Sequence, residues 1–191
     1  MMDEQEMIEE KPASLWERVW LFLVTATIVM VDHFSKLLIE SRFALNESWV
    51  PFPEQLPFFR ITHVSNTGAA FGVFPSGSMI FTVVAIIVSI VIVLYNYRLP
   101  ADHKLLRLAL GLQLGGAMGN LIDRLRLGHV TDWMDVGPWP VFNVADASIV
   151  AGVVVLALLM LFEQRPEPPA QEEGVKELMP TVEPMEDRNL A

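Results

Sequence analysis

The stretch FNVADASIVAGVVVLALLMLF (Phe142–Phe162) decides the fold. From Val144 onward it is almost unbroken in its apolarity and matches the ~20-residue helix needed to cross a hydrocarbon core of ~30 Å. The 191-residue chain around it is 52% hydrophobic, with a mean hydropathy of +0.41, too apolar for an ordinary soluble domain. The same stretch carries Asp146 at its mouth. A carboxylate at that depth is costly unless a helix cap, an ionic partner or a reaction uses it.

Three further segments have the same length and character: Val19–Leu38, Met79–Tyr97 and Leu105–Ile122. The first has an acidic flank and no small-residue cleavage site after it, so it reads as a retained anchor and not as a secretory signal. The third carries Gly111, Gly115 and Gly119 at intervals of four, a smooth ridge for close helix packing. The segments facing away from the chain ends, Ser41–Ser78 and Leu125–Phe142, hold β-compatible pieces such as FFRITHV, broken by Gly and Pro. The expected fold is an all-α membrane protein of four transmembrane helices with a small β-rich periplasmic cap.

The net charge of −10 sits at the ends. Residues 1–17 contain six acids and one lysine, residues 163–191 eight acids and three bases, and the remainder is neutral. Such composition does not bury enough apolar surface to order itself. The expected division is a disordered acidic tail over 1–17, a four-span membrane domain over 18–163 and a disordered Pro/Glu-rich tail over 164–191. With no cysteine, disulfides, thiolate nucleophiles and Cys-based metal sites are excluded. Four spans place both termini on one side. Lys11, Arg18, Arg98, Lys104, Arg107 and Arg165 lie there, against Lys36, Arg42, Arg60, Arg124 and Arg126 opposite, a slight lean towards cytoplasmic termini.

On this topology the unusual polar residues converge. Asp32 and Lys36 end the first span, Asn66 lies in the first outer segment, and Asn120, Asp123 and Arg124 share a face at the end of the third. Asp132 and Asp135 follow, and Asn143 and Asp146 open the fourth. All fall at the membrane surface opposite the tails. Structural readings stand beside functional ones: Asp32 and Lys36 make an i,i+4 ion pair, Asn143 and Asp146 a helix N-cap with an acid in the first turn, and Asp123 a surface charge. The four histidines are scattered and form no HExxH, and GGAMGN follows no strand. Two carboxylates sharing a site retain one proton between them, so that one acts as general base on water while the other polarises a carbonyl.

Four blocks in order carry a family resemblance: DHFSK (Asp32–Lys36), NTGAAFG (Asn66–Gly72), GNLIDRLRLGHVTDW (Gly119–Trp133) and FNVADASI (Phe142–Ile149). Together they resemble lipoprotein signal peptidase, or signal peptidase II, of bacteria. The resemblance implies an aspartic endopeptidase of the inner membrane that cleaves signal peptides from diacylglyceryl-modified prolipoproteins before the lipidated cysteine. It implies Asp132 and Asp146 as the catalytic pair, with Asn66, Asn120, Arg124 and Asn143 binding substrate and Asp32, Lys36, Gly68, Asp123 and Ala145 supporting the site. It further implies a monomer that needs no metal or organic cofactor, contacts membrane lipids, binds no nucleic acid and faces the periplasm. His33 stands where the family usually has Gln, and Trp133 where Phe is common. Asp123 competes with Asp132 for the first catalytic position, and Asp135 does so more weakly. Two other readings are a metal-dependent phospholipid-headgroup transferase, from the Asp132/Asp135 spacing, and a proton or cation transporter component.

Overall fold

The computed structural model describes residues 11–68 and 77–163. Residues 1–10 and 164–191 of the expected tails, and Ala69–Gly72 of the NTGAAFG block, lie outside them. The elements are α1 (Leu15–Arg42), β1 (Ser48–Trp49), β2 (Phe59–Asn66), α2 (Gly77–Arg98), α3 (Lys104–Leu127), β3 (Val130–Val136) and α4 (Val144–Glu163). All four helices are long and apolar enough to cross a bilayer. With 20 residues, α4 is about 30 Å long at the α-helical rise. The expected four-helix architecture with a small β-rich cap is the one observed.

The first helix starts earlier than the composition of 1–17 suggests. Ser14 and Glu17 form a capping box: the Ser14 hydroxyl accepts from the Glu17 N–H at 3.3 Å, and the Glu17 carboxylate accepts from the Ser14 N–H at 2.7 Å. Residues 15–17 therefore belong to the helix and not to a tail.

Helix α3 is the inner one, packed against α1, α2 and α4. Over half of its apolar window is buried, against less than a fifth for the others. The large apolar side chains left exposed on α1, α2 and α4, such as Leu23, Ile87 and Leu158, give those helices lipid-facing sides. The glycine ridge explains how α3 occupies the centre. A Cβ on Gly111 would meet Val24 at 2.9 Å, and one on Gly115 would meet Ile28 at 2.7 Å, so α1 lies directly on the ridge. A Cβ on Gly116 would collide with the Ala145 carbonyl of α4. A core of Leu21, Ile92, Leu110 and Leu114 ties α1, α2 and α3 towards the terminal end. There the buried Arg107 donates to the carbonyls of Leu99 (2.8 Å) and Pro100 (3.0 Å), satisfying backbone acceptors where α2 ends.

At the other end the strands form an antiparallel sheet in the order β1-β2-β3. Gly128, at φ 78°, caps α3 in the left-handed conformation and turns the chain into β3. Val64 pairs with Asp132 and Asn66 with Val130, after a register irregularity between Ile61 and Val64. That register sets Asn66 and Asp132 on one face, two residues apart diagonally.

Candidate active site

Most of the polar residues that converge in the sequence form two connected clusters where α1, α3, α4 and β3 meet; Asp135 stands apart, paired with Arg60. The first is structural in its contacts. Lys36, 1% exposed, places its ammonium 2.7 Å from Asp32 Oδ2, 2.8 Å from Asp123 Oδ2 and 3.0 Å from Asn120 Oδ1. One ammonium faces two carboxylates as ion pairs and donates to one amide oxygen, so the buried charge is compensated. Asp32 also accepts from the Ala145 N–H at 2.9 Å, which anchors the first turn of α4. Asp123 accepts from the Thr131 N–H at 3.3 Å, which holds the start of β3. The Asp32–Lys36 pair is therefore no exposed surface pair, and Asp123 is no surface charge: all three are buried.

The second cluster contains Asp132 and Asp146. Asp132, 2% exposed, accepts from Asn66 Nδ2 at 2.9 Å and from Asn143 Nδ2 at 2.7 Å. Asp146, half-buried, accepts from Asn120 Nδ2 at 2.8 Å. Asn143 Nδ2 also donates to Asn120 Oδ1 at 3.1 Å, so two amides run as a relay from one carboxylate to the other. Asn143 and Asp146 cap α4 reciprocally: the Asp146 N–H donates to Asn143 Oδ1 at 2.9 Å, and the Asn143 N–H to Asp146 Oδ2 at 3.3 Å. The capping reading and the site reading of Asp146 thus hold together, because the cap orients the carboxylate. Asn66 is steadied by an Asx-type bond, the Gly68 N–H donating to its Oδ1 at 3.1 Å.

Burial pushes the Asp132 carboxyl up to about 7, and the Asp146 charge adds to the rise against the bonds from Asn66 and Asn143. Asp135 behaves oppositely. Burial works against its charge, but Arg60 (2.8 and 3.1 Å) and Thr62 (2.9 Å) hold it below the usual carboxylate range. Three residues apart on one strand, Asp132 and Asp135 point to opposite faces of the sheet. Among the described residues no group of three His, Asp or Glu is placed to hold a metal ion.

Asp132, Asp146, Asn66, Asn120 and Arg124 line one cavity of about 900 Å³. Arg124 lies over the Phe81 ring at 5.5 Å and makes no ion pair among the described residues, which leaves its guanidinium to the cavity. Away from the carboxylates the wall becomes apolar, through Ala117, Val84, Ala85, Val88 and Ile149. The arrangement sets two carboxylates in the wall of one largely apolar chamber.

The family model described as signal peptidase (SPase) II matches residues 24–162. The chain belongs to the signal peptidase II family. A lipoprotein signal peptidase of Moorella thermoacetica is 46% identical over 154 residues, covering 80% of this chain and 97% of that one. One from Pseudomonas syringae pv. tomato is 41% identical over 156 residues, covering 77% and 88%. A solved bacterial membrane enzyme superposes with a TM-score of 0.70 at 28% identity, over 87% of this chain and 99% of that one. Within this signal peptidase II chain, several contacts had no forecast from the sequence. Glu40 accepts from the Thr131 hydroxyl at 2.7 Å, tying α1 to β3, and Phe81 seats Arg124. Gln113 is also in the cavity wall, and its only sequence signal is an amide inside an apolar span.

Proposed function

We propose that this multi-pass membrane peptidase is an aspartic endopeptidase that removes signal peptides from diacylglyceryl-modified prolipoproteins, cutting before the lipidated cysteine. Asp132 and Asp146 are the catalytic pair. The observation that carries this reading is the amide relay of Asn143 and Asn120 joining the two carboxylates at the wall of one cavity. The ionised carboxylate takes a proton from water as its oxygen attacks the scissile carbonyl carbon. The protonated partner donates to the carbonyl oxygen, giving a tetrahedral diol. Collapse breaks the C–N bond: the proton taken from water passes to the departing amine, and one diol hydroxyl returns its proton to the partner carboxylate, restoring the pair. The pair titrates as a unit, so neither role belongs to one Asp alone. Asn66, Asn120 and Arg124 hold peptide carbonyls without competing for the shared proton, while the buried Asn143, whose two amide hydrogens go to Asp132 and Asn120, positions the pair. Asp32, Lys36, Asp123, Gly68 and Ala145 hold the frame.

Asp123 is set apart from catalysis by its bonds to Lys36 and the Thr131 N–H, and Asp135 by its pairing with Arg60 on the opposite strand face. That separation also leaves the headgroup-transferase reading without its paired carboxylates. The gathering of acids at one end leaves the transporter reading without a path. The lean of basic residues supports cytoplasmic termini and a site facing the periplasm, and the composition of the chain ends supports a membrane domain beginning at Leu15 and flanked by acidic tails.

The test is cleavage of a diacylglyceryl-modified prolipoprotein by the purified protein in detergent, with chelator present. Wild type cleaves, folded Asp132→Asn and Asp146→Asn do not, and Asp123→Asn keeps part of its activity. A folded wild type that leaves the lipidated substrate whole overturns the peptidase reading. Activity retained in Asp132→Asn but lost in Asp123→Asn reassigns the pair.

A further inference from the structure

Gln113 is a polar residue that the proposed chemistry does not use. It lies on α3 seven residues before Asn120, a spacing that keeps both on the same helix face. Its Nε2 is buried without a hydrogen-bond partner among the described residues, in the wall of the catalytic cavity. Val84, Val88, Ala117 and Ile149, which line the same cavity, have no polar side-chain atom to offer. The absence of a side chain on Gly152 lets the amide stem lie against α4, where a Cβ would stand 2.7 Å from Gln113 Cγ. An unmade hydrogen bond at membrane depth is costly, and a buried group of this kind calls for a partner.

The depth identifies that partner. Seven residues of helix place Gln113 roughly 10 Å further into the membrane than the Asn120 level where the dyad lies. On a diacylglyceryl-cysteine, eight covalent bonds separate the amide nitrogen released by cleavage from the nearest ester carbonyl oxygen, a reach of roughly 10 Å when extended. Signal-peptide backbone at this depth is helical, with its carbonyls already satisfied internally. The ester carbonyls of the lipid are the acceptors without donors. The terminal torsion of a glutamine is soft, so its amide turns into the cavity at little cost.

We infer that Gln113 is a subsite for the glyceryl ester, donating from Nε2 to an ester carbonyl of the substrate's lipid and so measuring the distance from lipid to scissile bond. This rests on the prolipoprotein reading above. The test is a two-by-two comparison of kcat/KM, wild type and Gln113→Leu on a diester-modified prolipopeptide and on its diether analogue, which lacks both carbonyls. Wild type is expected to prefer the diester about three- to tenfold, the range for one neutral hydrogen bond, and Gln113→Leu to lose that preference, chiefly through KM. The two proteins are expected to match on the diether. Equal preference for the diester in both proteins overturns the inference. So does a loss in Gln113→Leu that is the same on both substrates, which marks packing or a peptide contact instead. Should Gln113→Leu not fold, the wild-type ratio alone still decides, since no diester preference overturns the subsite. Failure of wild type to cleave either substrate strikes the peptidase reading, a different outcome.

Discussion

Replacing Lys36 by Met keeps the length and apolar stem of the side chain while removing its charge. Lys36 Nζ holds Asp32, Asp123 and Asn120 within 3.0 Å in a site where the lysine and both carboxylates are essentially shielded from solvent. Without the ammonium, Asp32 and Asp123 remain buried together, uncompensated and mutually repelling. Breaking a buried pair in this way costs ~3–5 kcal/mol, and here one cation serves two anions, which favours the upper part of that range. At about 2–4 °C per kcal/mol for a chain of this size, the melting temperature falls by about 6–20 °C. Thermal unfolding in detergent, followed by the fluorescence of the five tryptophans, reads the change directly. Adding Asp32→Asn and Asp123→Asn to Lys36→Met should recover part of the loss, because neutral amides no longer need the ammonium. A melting temperature within about 3 °C of wild type for Lys36→Met, less than about 1 kcal/mol, refutes the compensation reasoning. So does a complete failure of the triple variant to recover.

The raised carboxyl of Asp132 makes stability depend on pH. The folded protein holds its proton between the ordinary value of 3.8 and about 7, where the unfolded chain has released it, so stability present at low pH is lost as pH rises through that window. Asp132→Asn escapes this loss, and the melting-temperature difference between variant and wild type should move in the variant's favour from pH 5 to pH 8; a constant difference would contradict the assignment. Cleavage by wild type should likewise decline above about pH 7, as the shared proton leaves, in a pH–rate profile measured on folded enzyme. Asn143→Ala removes the donor to Asp132, the link to Asn120 and the cap on Asp146, and kcat should fall roughly 10- to 100-fold, as expected for hydrogen bonds to a charged group. Steady-state kinetics with an unchanged kcat would show that the relay is not needed. Gly119→Ala would set a Cβ 2.6 Å from Asp32 Oδ2 and 3.2 Å from Ala145 Cβ, and Asp32 is held by Lys36 and the Ala145 N–H and has little room to yield. The expected destabilisation is ~1–3 kcal/mol, read by the same unfolding assay.

What the sequence determined by itself are the features that depend on neighbours along the chain. Spans such as Val144–Phe162 follow from length and apolarity, and the ridge of Gly111, Gly115 and Gly119 follows from helical spacing. Because spans alternate direction, position along the chain alone sets Asp32, Asn66, Asn120, Asp132 and Asp146 at one level. Even the start of α1 is written locally in Ser14-Leu-Trp-Glu17, a capping box set within an otherwise tail-like acidic segment. Tertiary structure alone decided which carboxylate keeps which company. Asp123, Asp132 and Asp135 lie within 13 residues, yet one faces Lys36, one the cavity and one Arg60. Those environments arise from the β2–β3 register, which brings Asn66 to Asp132, and from the close seating of α3 between α1 and α4. Burial and pairing set a carboxylate's proton affinity, and both are sums over atoms distant in sequence, so chemically identical side chains acquire different roles only once the chain has packed.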